Sequence, residues 1–557
     1  MKKIMKQTNF LKTVFTVILC GFFSINYAGT IYLSATGNNA NNGLTPGTAV
    51  KSFSIAQGLA ADGDTIMVTG LIDFVNDPGN TFTTTSTGPS TSNKTGIVLA
   101  KSLNIQGTSS ATDGFQGVDL TSFVNTRFIQ LTSDFTLGLK NLRLINGGFI
   151  TDIATVVAGG GAIVMTNGNI VAENVIFDSN TTSGHSAISG GAIYVGGSNA
   201  TMKANSFKNC VFNANEGTKG GPIYINALGN DSKFTFEGCA ITNNLANGTF
   251  GGSAFYIRFN TSANGEINII NCTIKGNKVT GVASGGAINW SAKTPNTAKV
   301  NIINCTMTEN TTAATSGSAG IYYANGGTTG NYGNLYISNC IIEGNKTDSG
   351  LAGDLQVTAV SPTTAGGGSA TVPGYVKVQN SMIGAVTSSA ANVPVATNIV
   401  DNTYYNYITL ATPELKAMLN PFDPTTNSYS LMSGSPAITF GKLSLLSPIK
   451  TDQLGHLRPT GTDISAGSVE KNFTLGLNKS VQNSIIVYRN AYNQITVQNT
   501  SNDATGLISV YNTLGQEVAK SAVNSVSTTI DKNLAPGVYI VILKNDAGSS
   551  AKKVIIN

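Results

Sequence analysis

Charge is scarce in this chain: Asp, Glu, Lys and Arg make up 11% of its 557 residues. Histidine occurs twice, at His185 and His456, and neither lies near another candidate ligand in sequence. A metal site built on short ligand spacing is therefore not expected. Beyond the N-terminal 28 residues there is no apolar run of membrane-spanning length, so no transmembrane helix is expected after signal removal. The formal charge of +5 is also misplaced as a clue. Residues 1–28 carry four Lys and no acid, and residues 481–557 carry six basic and four acidic residues, which leaves the body at −1. A near-neutral body without a basic stripe argues against a nucleic-acid partner.

Glycine (63 residues) and β-branched residues are abundant, and they are ordered by a pattern. In Ile267-x-Ile269-Ile270-Asn271-Cys272-x-Ile274 apolar residues alternate, change parity once, and alternate again. Side chains of a strand point inward with period 2, so one parity change is a two-residue corner between two strands. The pattern recurs nine times, with corners at Ser102, Asn141, Asn174, Asn209, Gly238, Asn271, Asn304, Asn339 and Asn380, 29 to 41 residues apart. Asn suits a corner because it tolerates left-handed backbone angles, and its amide can bond the amide of the next copy. Helical repeats of similar length need helical spacing and strong helix formers, which this chain lacks. Each repeat is read as one coil of a parallel β-solenoid.

A second landmark, Gly-Gly-Ala-Ile, occurs at Gly160, Gly190 and Gly285, with variants at Gly220, Gly251 and Gly317. It predicts a third strand per coil, entered by a sharp turn that the glycines permit. Asn215, Asn244, Asn277, Asn310 and Asn345 each follow a Cys by five residues, and Asn180 holds the same place after Val175. The five cysteines Cys210, Cys239, Cys272, Cys305 and Cys340 share one inward position. Stacked side chains run parallel instead of converging, so buried free thiols are expected, with no metal.

These residues resemble the right-handed parallel β-helix of the pectate-lyase-like superfamily, in which an asparagine ladder marks a corner. The Gly-Gly-Ala-Ile and Phe-x-x-Asn pairing (Phe177 with Asn180, Phe212 with Asn215) is similar to the repeats of polymorphic outer-membrane proteins, which are adhesins. The resemblance implies an all-β right-handed parallel β-helix of about nine or more coils, and a structural ladder at Asn141, Asn174, Asn209, Asn271, Asn304, Asn339 and Asn380. Residues 37–43 resemble the family's opening turn, with Asn39 in place of its Asp. Phe53 to Ala61 reads as a capping helix, and residues 62–66 as the start of the first strand. Residues 401–470, with Ser435-Pro436-Ala437-Ile438 and Arg458-Pro459, resemble the closing segment of bacterial β-helix proteins.

The ends carry an address. Lys2, Lys3, Lys6 and Lys12, the apolar run Val14 to Phe23, and Ala28 read as a secretory signal peptide of 28 residues. Residues 29–400 are the expected helix with its cap, and 471–483 a linker. Residues 484–557 alternate as short strands of a small β-sandwich. Its Leu514-Gly515-Gln516, Gly537-Val538-Tyr539 and Lys552-Lys553 closely resemble the type A C-terminal sorting domain of the type IX secretion system in Bacteroidetes. That resemblance implies the type IX machinery as a partner, Gly515, Gly537, Tyr539 and Lys553 as sorting-signal residues, and export through the periplasm and across the outer membrane to a secreted or cell-surface location.

On the strand after each glycine pair, the outward column is Val164, Tyr194, Tyr224, Tyr256, Asn289 and Tyr322. An aromatic stripe rimmed by hydroxyls suits stacking on sugar rings, so Tyr194, Tyr224, Tyr256, Asn289 and Tyr322 are the candidate ligand-binding residues. Tyr columns also stabilise sheets without any ligand. The column carries no carboxylate pair of the glycosidase kind and no calcium triplet. No catalytic constellation is assigned, Arg258 being the one candidate, with Asp354 near the equivalent strand of a later coil. The expected function is a secreted, surface-displayed glycan-binding or adhesive β-helix protein without a cofactor. The alternative is a polysaccharide lyase or glycoside hydrolase, for which calcium becomes possible.

Overall fold

Parity and spacing become geometry directly. The computed structural model describes residues 28–471 and 485–556, except 86–87, 110, 118–124, 149–158, 183–188, 197–201, 227–230, 260–263, 282–283, 293–295, 315, 326–331, 359–375, 389–404, 410–416, 446–449, 491–492, 500–505, 524, 526 and 546–547. The leader to residue 27, the linker from 472 and the Gly-rich stretch 360–374 lie outside the described residues. The chain forms two compact units, divided between Asn472 and Phe473.

The first unit is a parallel β-solenoid. Equivalent residues of successive coils pair: Phe207 with Phe236, then Ile269, Ile302, Ile337 and Val378. The nine corners delimit about eight complete turns. The third strand of each coil stacks in the same way, through Ile193, Ile223, Phe255, Ile288, Ile321 and Leu355. Inward residues form one continuous core in which like stacks on like: Phe177 on Phe212 at 4.7 Å, and Phe207 on Phe236 at 4.8 Å, both nearly parallel. These distances are the strand spacing of a sheet.

All seven corner asparagines have φ between 46° and 55°, and Gly238 has φ 65°. Asn and Gly are the residues that enter the left-handed region most cheaply. A second left-handed corner follows in each coil, at Asn146, Ser179, Ala214, Asn243, Gly276, Glu309 and Gly344. It tolerates Ala and Glu because the next residue is held from inside. From Ser179 on, that residue is Asn180, Asn215, Asn244, Asn277, Asn310 or Asn345, each at most 1% exposed.

These six inner asparagines make the continuous ladder. Each Nδ2 donates to the Oδ1 of the next coil's Asn, at 2.9, 2.9, 2.8, 2.9 and 2.7 Å. Each also donates to a carbonyl of the coil before, as Asn277 does to Ile241 O at 2.8 Å. Each backbone N–H bonds the same Oδ1 as its own Nδ2, as in Asn277 N to Asn310 Oδ1 at 3.0 Å. The amide-to-amide bonds all run towards the C-terminus. The last, Asn345, meets no further Asn: its N and Nδ2 donate to Asp354 Oδ1 at 3.0 and 2.7 Å, and Ala385 N donates to Asp354 Oδ2 at 2.8 Å. The end of a one-way donor chain needs a group that only accepts, and a carboxylate is that group. Burial pushes the Asp354 carboxyl upward, and the bonds from Asn345 and Ala385 work against that.

At the outer corners, by contrast, amide-to-amide bonds join Asn174 to Asn141 and Asn339 to Asn304, both at 3.2 Å. The other partners come from the closing segment, which lies along the corners of four coils. Asn380 donates to Phe440 O, Asn339 to Lys442 O, Asn304 to Ser465 O, and Asn271 to Thr451 O. Arg458 donates to Asn271 Oδ1 at 2.9 Å and pairs with Glu470 at 3.1 Å, with both side chains fully buried.

Three details differ from the sequence reading. The first strand is Thr30–Ser34, which pairs with Thr65–Thr69, so residues 62–66 lead into the second. The capping helix spans Phe53–Leu59, and Asn39 Oδ1 accepts from Lys51 N and Ser52 N just before it. The glycine pairs serve close packing: a Cβ on Gly190 would lie 2.1 Å from Ile193 O, and one on Gly191 would lie 2.3 Å from Gly221 O.

The second unit is antiparallel. Ile485–Arg489, Ile495–Asn499 and Ser527–Thr529 form one sheet, and Glu517–Val523, Gly506–Asn512, Gly537–Asn545 and Gly548–Ile556 form the other. Ile495, Val497, Ile508, Val510, Val541 and Leu543 contribute to its separate core.

Asp354→Asn is nearly isosteric, yet it places an amide N–H2 against either Asn345's donors or the Ala385 N–H. It should lower stability by about 1–3 kcal/mol. Asn209→Gly, at an exposed left-handed corner, should change stability by about 0.5 kcal/mol or less. Urea unfolding of the two variants checks the contrast, and equal losses would contradict the ladder's role.

Candidate functional site

The outward column of the third face is built by register: Val164, Tyr194, Tyr224, Tyr256, Asn289, Tyr322 and Gln356 follow one another across paired strands. The rings are not a flat stack. Tyr194 meets Tyr224 at 5.4 Å and 77°, and Tyr224 meets Tyr256 at 5.0 Å and 73°. Edge-to-face contact places the positive edge of one ring against the negative face of the next. The column is covered: Val164, Tyr194, Tyr224 and Tyr256 form a buried cluster of their own, outside the main core. Tyr322 and Asn289 are buried as well.

A second column two residues further along each strand supplies polar groups. The Tyr224 hydroxyl donates to Asn226 Oδ1 at 2.7 Å, and Asn226 Nδ2 donates to the Tyr194 hydroxyl at 3.0 Å. Arg258 continues this column and pairs in register with Ser291. Asn226, Arg258 and Ser291 are half-buried, so they form the accessible rim of the tyrosine cluster. Asn226 escaped the sequence reading, although its parity matches Tyr224 and could have flagged it.

The electrostatics follow from burial. Desolvation raises the phenol pKa of Tyr224, Tyr256 and Tyr194. For Tyr224 and Tyr256 the Arg258 guanidinium acts in the opposite sense. The phenols therefore stay protonated and serve as hydrogen-bonding groups. Two buried atoms here have no hydrogen-bond partner: Arg258 Nε and Asn289 Oδ1. Asn289 uses its amide on Gly251 O at 2.9 Å, which leaves the carbonyl oxygen over. An orphan donor and an orphan acceptor on neighbouring coils are costly unless something completes them.

The remaining candidates are placed elsewhere. Asp354 is the ladder's terminal acceptor, 1% exposed, and its oxygens are occupied. All five cysteines are free and buried, and their thiols donate to backbone carbonyls, as Cys305 does to Ile269 O at 3.3 Å. Burial pushes the thiols of Cys239, Cys272, Cys305 and Cys340 well up, which keeps them unreactive. Among the described residues no group of three or more His, Cys, Asp or Glu could hold a metal ion, and no helix is long and apolar enough to cross a membrane.

In the second unit Gly515 has φ 77° in the turn between Gly506–Asn512 and Glu517–Val523, and Gly537 opens the strand Gly537–Asn545. Tyr539 is buried, and its hydroxyl donates to Ala535 O at 2.7 Å. Lys553 is exposed and lies opposite Ile540.

Residues 488–557 match the family model described as the secretion system C-terminal sorting domain. The protein is thus a parallel β-solenoid that carries a type IX sorting tail, which implies the type IX machinery as a partner and secretion across the outer membrane. Comparison with curated proteins and with solved structures gives no match.

Tyr224→Phe removes one hydroxyl from a buried bonded pair and leaves Asn226 Oδ1 short of its donor. It should destabilise the solenoid by about 1–2 kcal/mol. A thermal unfolding midpoint equal to that of the unaltered chain would contradict the network.

Proposed function

We propose that the protein is a secreted, surface-displayed β-helix that binds glycans on the tyrosine-bearing face, and acts as an adhesive or glycan-binding protein. The observation that carries this reading is the half-buried polar rim of Asn226, Arg258 and Ser291, held by the buried tyrosine cluster beneath it. A sugar offers hydroxyl donors and acceptors for that polar rim. The burial of the rings assigns them a supporting part: they fix Asn226 and Arg258, and the rim makes first contact. The site is rigid because the tyrosines, Arg258 and Ser291 sit on paired strands and Asn226 N donates to Val195 O at 2.8 Å.

Binding supplies what this geometry offers. A lyase or hydrolase reading needs a base or a carboxylate that reaches the same face, and Arg258 is the group on which it would rest.

The mature chain from residue 29, incubated with acidic and neutral polysaccharides and run by size exclusion with protein detection, should co-elute with at least one full-length polymer. Arg258→Ala and Asn226→Ala should each weaken that binding by about tenfold, the scale of one lost charged or buried hydrogen bond. Unaltered binding in both variants would remove the site from consideration. Shortened polymer would replace binding by catalysis, with Arg258 as the first residue to change.

A further inference from the structure

The sorting tail has one sheet face that its own core does not use. In the four-stranded sheet, Ile508, Val510, Val541, Leu543, Val554 and Ile556 point inward. The alternate residues form the outer face, and register sets them side by side. Tyr511 lies opposite Ile540, which lies opposite Lys553, and Val538 lies opposite Ile555. In the next row Lys520 faces Ser509, and Ser509 faces Ile542. Leu507 lies opposite Lys544.

The outer face of a small soluble sandwich is ordinarily polar, and a contiguous apolar patch rimmed by polar groups marks an interaction site. Here Ile540 is 38% exposed, Leu507 38% and Ile555 53%. Lys520, Lys544 and Lys553 stand around them, all exposed, against the single acid Glu517, which the Tyr511 hydroxyl engages at 3.3 Å. Among the described residues none of these three lysines forms an ion pair. The other residues of the sorting pattern are spent on the fold: Gly515 on a left-handed turn, Tyr539 on the core and a backbone bond. Lys553 is the member of that pattern left for a partner to read.

We propose that this outer face, centred on Ile540 and ringed by Lys520, Lys544 and Lys553, is the surface by which the secretion machinery recognises the tail. Charge complementarity fixes the partner's chemistry: a protein surface with an apolar patch bordered by carboxylates. The proposal rests on the tail being a sorting domain, and the test separates the two.

The full chain is expressed in a type IX-competent bacterium, and the fractions outside the cell and in the periplasm are measured. Deletion of residues 485–557 should abolish export; export without the tail would overturn the sorting reading and the proposal with it. With that deletion retained in the periplasm, Ile540→Asp and the triple Lys520→Glu, Lys544→Glu, Lys553→Glu should each cut export by about tenfold or more, the size a lost interface anchor carries. Gln498→Glu, at an exposed position on the other sheet, should export normally. Should Ile540→Asp prevent folding of the tail, the charge reversal decides, because its three positions lie outside the core. Normal export of the folded charge-reversed chain would overturn the proposal. So would flotation of the purified chain with phosphatidylglycerol vesicles that the same charge reversal abolishes, since the face would then read a lipid surface.

Discussion

The solenoid depends on a single file of buried amides. From Asn215 to Asn345, each side chain accepts two bonds from the Asn of the coil before, and from Asn180 to Asn310 each gives one to the Asn of the coil after. A buried amide costs free energy unless its donors and acceptors are met, and here the amides of neighbouring coils meet one another. The ladder therefore specifies register: a coil displaced by one residue would leave Asn side chains buried and unpartnered. The run of amide-to-amide donors finishes on the carboxylate of Asp354. The apolar core supplies most of the burial energy and opposes a one-residue slip through side-chain parity, and the amides add a polar requirement on the same register.

The function-bearing parts follow from this rigidity. Because equivalent residues stack, one outward position becomes a column, and a column of Tyr becomes a connected aromatic cluster with Asn226 and Arg258 alongside. The closing segment uses the other side of the coil. There the corner asparagines read its backbone, and the buried Arg458–Glu470 pair ties it to Asn271. A buried ion pair adds little net stability over an apolar pair, but it penalises any other docking position. The molecule thus has two asparagine columns with different tasks: the inner one fixes coil on coil, and the outer one fixes the segment on the coils.

Much of this was legible in the sequence because it is local. Parity changes gave the corners, and spacing after each Cys gave Asn215, Asn244, Asn277, Asn310 and Asn345 as a set. Which of the two asparagine columns would carry the continuous ladder was not legible, since that depends on which amides are shut away from water. Asp354 stands nine residues after Asn345 instead of one coil later, so no periodicity points to its role. The bond from Asn271 to Thr451 spans 180 residues, beyond any pattern. The tyrosines were legible as outward by parity, but their burial was not, because parity encodes direction and not what lies over a face.

The central claim is that the inner amide ladder, more than the strands alone, holds the coils together. Hydrogen exchange of the full chain, followed by mass spectrometry, tests it most directly. The ladder turns 213–217, 242–246, 275–279 and 308–312 should be among the slowest-exchanging segments, at rates that rise and fall together, because their amides bond buried side chains in series. Exchange there as fast as in the exposed turn 512–516 would contradict the account.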